Sequence, residues 1–249
     1  MREWELIARA TTPEGSDLSL HRSGRAFLIR ADGRGLMGSD QHGSEEALAS
    51  LGCARARALE APIVLVGGLG MGFTLRAALD ELPAGGAVVV AELLEAVVTW
   101  NRGPLGALAG RPLDDPRTQV ELGDVGACLQ RSRGRFDAVL LDVDNGPVAM
   151  AQAGNARLYG DEGLAIARAA LAPDGILAVW SAWDDKKFEH RMRHAGFVVE
   201  TVHVRARLTR GGPNHTIFLG FLGGDGDPSR VPRAGLRSEG AGRARPRRL

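Results

Sequence analysis

The chain has 249 residues, 44% of them hydrophobic and 24% charged, which suits one sizeable core with a small appendage in an ordinary soluble protein. A formal net charge of +1 excludes a global pull towards nucleic acid or an anionic membrane, and no apolar run is long enough to span a bilayer. Cys53 and Cys128 form neither a CxxC pair nor a disulfide framework, and the start Met1-Arg2-Glu3-Trp4-Glu5 lacks a signal-peptide core, so a reducing cytoplasm is the expected compartment.

Residues 1–60 read as a small cap. Leu18-Ser19-Leu20-His21 and Arg25-Ala26-Phe27-Leu28-Ile29-Arg30 flank Ser23-Gly24, a hairpin signal, and Arg34-Gly35-Leu36-Met37 offers a third short strand. Ser44 then opens a helix with Glu45 and Glu46 in its first turn. From Ile63 strands and helices alternate. Strands are expected at 63–66, 87–91, 118–122, 136–141, 176–181, 197–204 and 215–222, with helices near 75–82, 94–100, 125–131, 158–171 and 185–195. This predicts an α/β fold: a Rossmann-like, doubly wound, mostly parallel seven-stranded sheet over 61–222. The last two strands have no helix between them, which predicts an antiparallel edge as in the class I methyltransferase architecture. From residue 223 the chain is rich in Gly, Pro and Arg and is expected to be a disordered tail; nucleic acid is not its expected partner. The excess of arginine over lysine, with Lys186 and Lys187 alone, reads as composition bias.

Chemistry is expected beyond the carboxyl ends of the parallel strands. Ile63-Val64-Leu65-Val66 is followed at once by Gly68, Gly70 and Gly72 and then by a helical pattern, which turns backbone N–H groups and a helix start towards a nucleotide-like ligand. Glu92 ends the next apolar run, where an acid can grip ribose hydroxyls. The turn lacks the pyrophosphate-binding GxGxxG, so the adenosine of S-adenosylmethionine suits it as well as NAD does. Asp124 follows the third strand, where it can accept from an adenine amino group. Asp142 ends the fourth, with Asp144 and Asn145 beyond it and a Gly-Pro turn next. Such a cluster attracts a cation and can take a proton from an ammonium nucleophile. Singly, each Asp can be a helix cap and each Gly a turn; their register at successive strand ends argues for a nucleoside pocket.

These residues resemble the spermidine synthase family, the polyamine aminopropyltransferases, from about Gly33 to Leu222. Thr74-Leu75-Arg76 is similar to its TLR, Asp115-Pro116-Arg117 with Gly123-Asp124 to its DPR…GD, Phe136–Asp142 to YDVIxxD, Leu158–Glu162 to LFSEEF and Leu171–Leu177 to LKPDGIL. The resemblance implies a transferase in polyamine biosynthesis. Its donor would be decarboxylated S-adenosylmethionine, its acceptor an amine, and its product methylthioadenosine plus a longer polyamine; a homodimer is also implied. By position, Glu92 would hold ribose, Asp124 adenine, and Asp142 would orient or deprotonate the amine. Three positions depart from the family. Met71 stands where it has an Asp facing the donor's amine, Asn145 where it has a second pocket acid, and Ser44-Glu45-Glu46 where it has YHE. Methyl transfer from intact S-adenosylmethionine to another nucleophile, and a non-catalytic nucleoside-binding role, therefore stay open.

Other residues are set aside. His190 and His194 share a helix face without a third ligand, and metal is not expected there. His42 sits where the cap should fold over the pocket and can contact substrate or cap its helix. Of Trp180 and Trp183, one can line the substrate mouth. Both cysteines read as buried small residues, and Gly211–His215 as the turn before the last strand.

Overall fold

The computed structural model describes residues 3–13, 15–143, 157–206 and 212–223. Four antiparallel strands come first and pair in chain order: β1 (Glu5–Thr11), β2 (Asp17–Ser23), β3 (Ala26–Ala31) and β4 (Arg34–Gly38). The Ser23-Gly24 hairpin joins β2 to β3, with Gly24 at φ 60°. Strand β1 was not expected from the sequence. It is an edge strand with Leu6 exposed, so its alternation is weak.

The larger half runs α1 (Gly43–Gly52), β5 (Ile63–Gly67), α2 (Phe73–Glu81), β6 (Ala87–Glu92), α3 (Glu95–Arg102) and β7 (Thr118–Leu122). It continues α4 (Val125–Gln130), β8 (Phe136–Leu141), α5 (Asp161–Ala170), β9 (Leu171–Ser181), α6 (Lys186–His194), β10 (Val198–Arg205) and β11 (Asn214–Phe221). The seven strands lie in the order β10-β11-β9-β8-β5-β6-β7. Strands β5 to β9 are parallel, and β11 is antiparallel to both β9 and β10, as the paired final strands predicted.

The central strands are apolar throughout because both faces are covered. Val64, Val66, Val88, Val90, Ala138 and Leu140 point to one face, where they meet Leu48 of α1, Leu75 of α2, Val97 of α3 and, beyond, Leu20 and Ile29 of the small sheet. Leu65, Val89, Val139 and Leu141 point to the other, against Leu129 of α4, Leu164 of α5 and Phe188 of α6. This period of two is what a strand buried on both sides requires. The small sheet is therefore anchored to the same core as α1 and α2.

Candidate nucleoside and amine site

Strand order reverses between β5 and β8, so the connections leaving those two strands diverge and open a crevice at their carboxyl ends. The glycine loop lies on one side of it. Gly68, Gly70 and Gly72 have φ of 88°, 51° and 86°, backbone that favours glycine. The loop is held by Gly68 N–H donating to Ala91 O at 2.9 Å and Asp142 N–H donating to Gly67 O at 2.9 Å. A Cβ on Gly68 would lie 2.5 Å from the backbone oxygen of Asp142. Gly68→Ala is therefore expected to cost at least about 1–3 kcal/mol, read as a lower urea midpoint. Buried Asn101 of α3 donates Nδ2 to Gly70 O and to Val97 O, both at 2.9 Å. Nothing in the sequence marks this brace beyond its place in a helix.

Glu92 ends β6 and is 7% exposed. Its Oε2 accepts from Leu69 N–H at 2.9 Å and its Oε1 from Leu94 N–H at 2.8 Å. Burial pushes its pKa up, opposed by these backbone donors. The side chain thus ties the glycine loop to the next strand, and a carboxylate's further lone pairs stay available to a diol. Asp124 lies two residues past β7 and caps α4, its Oδ1 accepting from Ala127 N–H at 2.8 Å. The helix-cap role weighed for such residues is thus present at this position, on an exposed carboxyl. Leu93 follows Glu92, and Leu122 is opposite Glu92 in the β6–β7 ladder; they are 50% and 55% exposed, apolar surface that a flat ring could cover.

Across the crevice, Asp142 follows β8. Its Oδ2 accepts from Thr74 Oγ1 at 2.6 Å, which links the fourth strand to the first turn of α2. Behind it, buried Tyr159 donates its hydroxyl to Val143 O at 3.2 Å. Helix α1 brings a second acid. Its first turn lies over that of α2, with His42 stacked on Phe73 at 4.2 Å between ring centroids. Glu45, three residues on, feels the Asp142 charge. Both carboxyls are pushed up: Asp142 to about 6 by burial against the Thr74 hydrogen bond, and Glu45 to about 7 by burial and the neighbouring Asp142 charge. Among the described residues neither is in an ion pair with Arg or Lys. Two close, partly buried acids without a counter-cation hold one proton between them around neutrality, or bind a cation.

Ser44 is fully buried. Its Oγ donates to Glu45 Oε2 at 2.7 Å, and His215 Nδ1 of β11 lies 2.9 Å from the same oxygen. His215 packs edge-on against Trp180 of β9, ring centroids 4.7 Å apart. In the sequence Glu45 is a first-turn acid and His215 part of a turn; only the packing of α1 on the sheet joins them through Ser44. His42 occupies the N-cap position of α1, but its side chain makes no cap bond and pairs instead with Glu46 Oε1 at 2.7 Å.

Asp144 and Asn145 lie outside the described residues, as do the Gly146-Pro147 turn, Gly211 and the tail from residue 224. Several motif residues are scaffolding. Asp137 Oδ2 accepts from Ile63 N–H at 2.7 Å to start β5, and Arg117 grips Asp115 at 2.9 Å, holding that carboxyl down at about 2. Met71 is 1% exposed and packs in the core instead of facing the crevice. Trp183 is exposed, and His190 and His194 lie on the solvent side of α6. Both cysteines are buried free thiols, pushed up to about 12 for Cys53 and about 11 for Cys128, and so inert. Among the described residues no helix is long and apolar enough to cross a membrane.

The chain resembles known proteins along most of its length. Over 176 residues it is 32% identical to polyamine aminopropyltransferase 2 of Pseudomonas aeruginosa, an alignment covering 64% of this chain and 45% of that protein. It thus spans less than half the length of that relative. Its fold matches the crystal structure of spermidine synthase from Thermotoga maritima with a TM-score of 0.68 at 17% identity, covering 92% of this chain and 78% of the other. A spermidine synthase crystallised in complex with the transition state analogue AdoDATO matches with a TM-score of 0.66 at 18% identity, covering 92% and 77%. The family model of the spermine/spermidine synthase domain matches residues 42–198, more than half of the chain, and the protein belongs to that family.

Proposed function

We propose that this protein transfers an aminopropyl group from decarboxylated S-adenosylmethionine to an amine. The observation that carries the reading is the Glu45–Asp142 pair beside the glycine loop, with no Arg or Lys paired to either acid among the described residues. Such a pair attracts the ammonium of a decarboxylated donor or of an amine acceptor. It repels the carboxylate that intact S-adenosylmethionine would bring to the same place. The family and the relative named a polyamine aminopropyltransferase support the same chemistry.

In this reading the glycine loop and Glu92 hold the nucleoside, Glu92 accepting from ribose hydroxyls with the lone pairs that Leu69 and Leu94 leave. Asp124 accepts from the purine amino group with Oδ2, since Oδ1 is taken by the helix cap. Leu93 and Leu122 cover the ring. The amine's lone pair attacks the carbon beside the sulfonium in line, the C–S bond breaks, and methylthioadenosine leaves neutral. The enzyme's task is placement and acceptance of one proton, which Asp142 supplies with Glu45 beside it. Asp144 and Asn145 remain assigned to the amine side of this pocket by their place in the chain.

The test is incubation of purified protein with decarboxylated S-adenosylmethionine and a panel of di- and polyamines, measuring methylthioadenosine release. Amine-dependent release is expected. Methyl transfer from S-adenosylmethionine, with no release from the decarboxylated donor, would overturn the reading.

A further inference from the structure

Ser44 is the one buried hydroxyl that touches two titratable side chains on different elements among the described residues: Glu45 at 2.7 Å on its own helix and His215 at 2.9 Å on β11. A serine hydroxyl carries one proton, so it donates to one neighbour while accepting from the other, and its direction reverses when the proton on Glu45 moves. We propose that Glu45, Ser44 and His215 form a proton relay that carries the proton given up at the Asp142 carboxylate to the solvent side of β11. The role of its outer members is positioning and conduction; they do not touch the reacting atoms. The proposal rests on the reading of the site as one that handles an amine, which supplies the proton.

The step balances without another reactant. The amine's N–H bond breaks as an O–H bond forms on the carboxylate pair. With Glu45 protonated and His215 as its neutral Nε2–H tautomer, Glu45 Oε2–H passes its proton to Ser44 Oγ, Ser44 passes its own to Nδ1, and the Nε2–H proton of the resulting imidazolium goes to water, leaving the Nδ1–H tautomer that donates to Ser44 while Ser44 donates to Glu45. One proton enters and one leaves. His215 is placed for the exit: it is partly exposed, and Pro213 and Asn214 beside it are exposed. Burial lowers its pKa, so it is neutral at rest and does not trap the proton. The charged groups around the relay are Asp142 after β8 and Glu46 on α1, which both favour the protonated form of Glu45. Near β11, Asp184 is engaged by Thr216 Oγ1 at 3.1 Å and lies 3.7 Å from His203.

The experiment follows the ring nitrogens of His215 by nitrogen-15 NMR in the ligand-free, full-length protein from pH 5 to 9. In the unsubstituted protein the Nδ1 signal is expected to move through the titration of Glu45 as well as its own. In Glu45→Gln and, independently, in Ser44→Ala, the Glu45-linked step should vanish. Each variant removes little volume, and either one alone is sufficient. Identical His215 titrations in all three proteins would overturn the relay. In the transfer assay, Ser44→Ala should lower kcat by about tenfold or more, most at low pH, with the donor's KM unchanged. An unaltered pH profile would likewise contradict it. If the NMR coupling is present and no amine is turned over, the coupled Glu45–Ser44–His215 chain stands, while the aminopropyl reading and the carriage of an amine's proton along that chain fall together.

Discussion

Asp142→Asn is expected to lower turnover by about 10²–10⁴-fold, the usual contribution of a positioned proton acceptor, while leaving affinity for methylthioadenosine, which carries no ammonium, largely intact. The asparagine keeps an oxygen for the Thr74 hydroxyl, which donates to Oδ2 at 2.6 Å in the native protein, so the strand end stays in place. What is lost is the basic oxygen. The same change is expected to stabilise the ligand-free protein above neutral pH. The native-state pKa of Asp142 is raised by burial and that of Glu45 by burial and the Asp142 charge. A raised native pKa means stability that is fully present below the unfolded-state pKa and lost as pH climbs through the folded value. For this pair the loss runs from roughly pH 4, the ordinary carboxylate range, up to about 7. An asparagine carries no such loss, and its amide can donate to Glu45. The expected gain at pH 8 is on the order of 1 kcal/mol, or about 2–4 °C in melting temperature, and none is expected at pH 4. A variant that loses ligand affinity and rate equally would place Asp142 in the donor site alone.

Glu92→Ala has the second large effect, and it is twofold. The carboxylate is the partner of Leu69 N–H at 2.9 Å and Leu94 N–H at 2.8 Å. Without it both donors lose their bond in a largely dry place, at about 1–3 kcal/mol each. The urea midpoint should fall accordingly, and the glycine loop should loosen. Loss of the diol contact should weaken methylthioadenosine at least tenfold, since a hydrogen bond to a charged group contributes about 1.5–3 kcal/mol. Calorimetry at a temperature where the variant is folded separates the two effects. Unchanged affinity there would remove Glu92 from the nucleoside site.

The parallel sheet was legible because its signals are local. Val64 to Val66, Val88 to Val90 and Val139 to Leu141 are apolar runs bounded by turn residues, and each lies buried between two helical layers. The paired final strands were legible for the same reason: no helical pattern separates them. The glycines and acids at the strand ends followed from the topology. The amine side was less legible because it is made across the chain. Glu45 comes under the Asp142 charge only because α1 packs over α2, and Ser44 meets His215 across 171 positions of sequence. A first-turn acid on a helix has a sufficient local explanation in the helix dipole, so nothing nearby asked for another. Strand β1 escaped because an exposed edge strand needs little alternation. Asp124 shows the reverse case: the cap reading was available from sequence, and the side chain does cap α4.

The crevice is expected to take an adenosine ligand without a carboxylate, and a donor that carries an ammonium. Isothermal titration of the purified protein with decarboxylated S-adenosylmethionine, methylthioadenosine, S-adenosylmethionine and S-adenosylhomocysteine tests it most directly. Tighter binding of the first two is the expected result: among the described residues Glu45 and Asp142 are two acids with no paired cation, which attract the decarboxylated donor's ammonium and repel a carboxylate that methylthioadenosine does not carry. Tighter binding of S-adenosylmethionine and S-adenosylhomocysteine, or binding of none of the four, would contradict it.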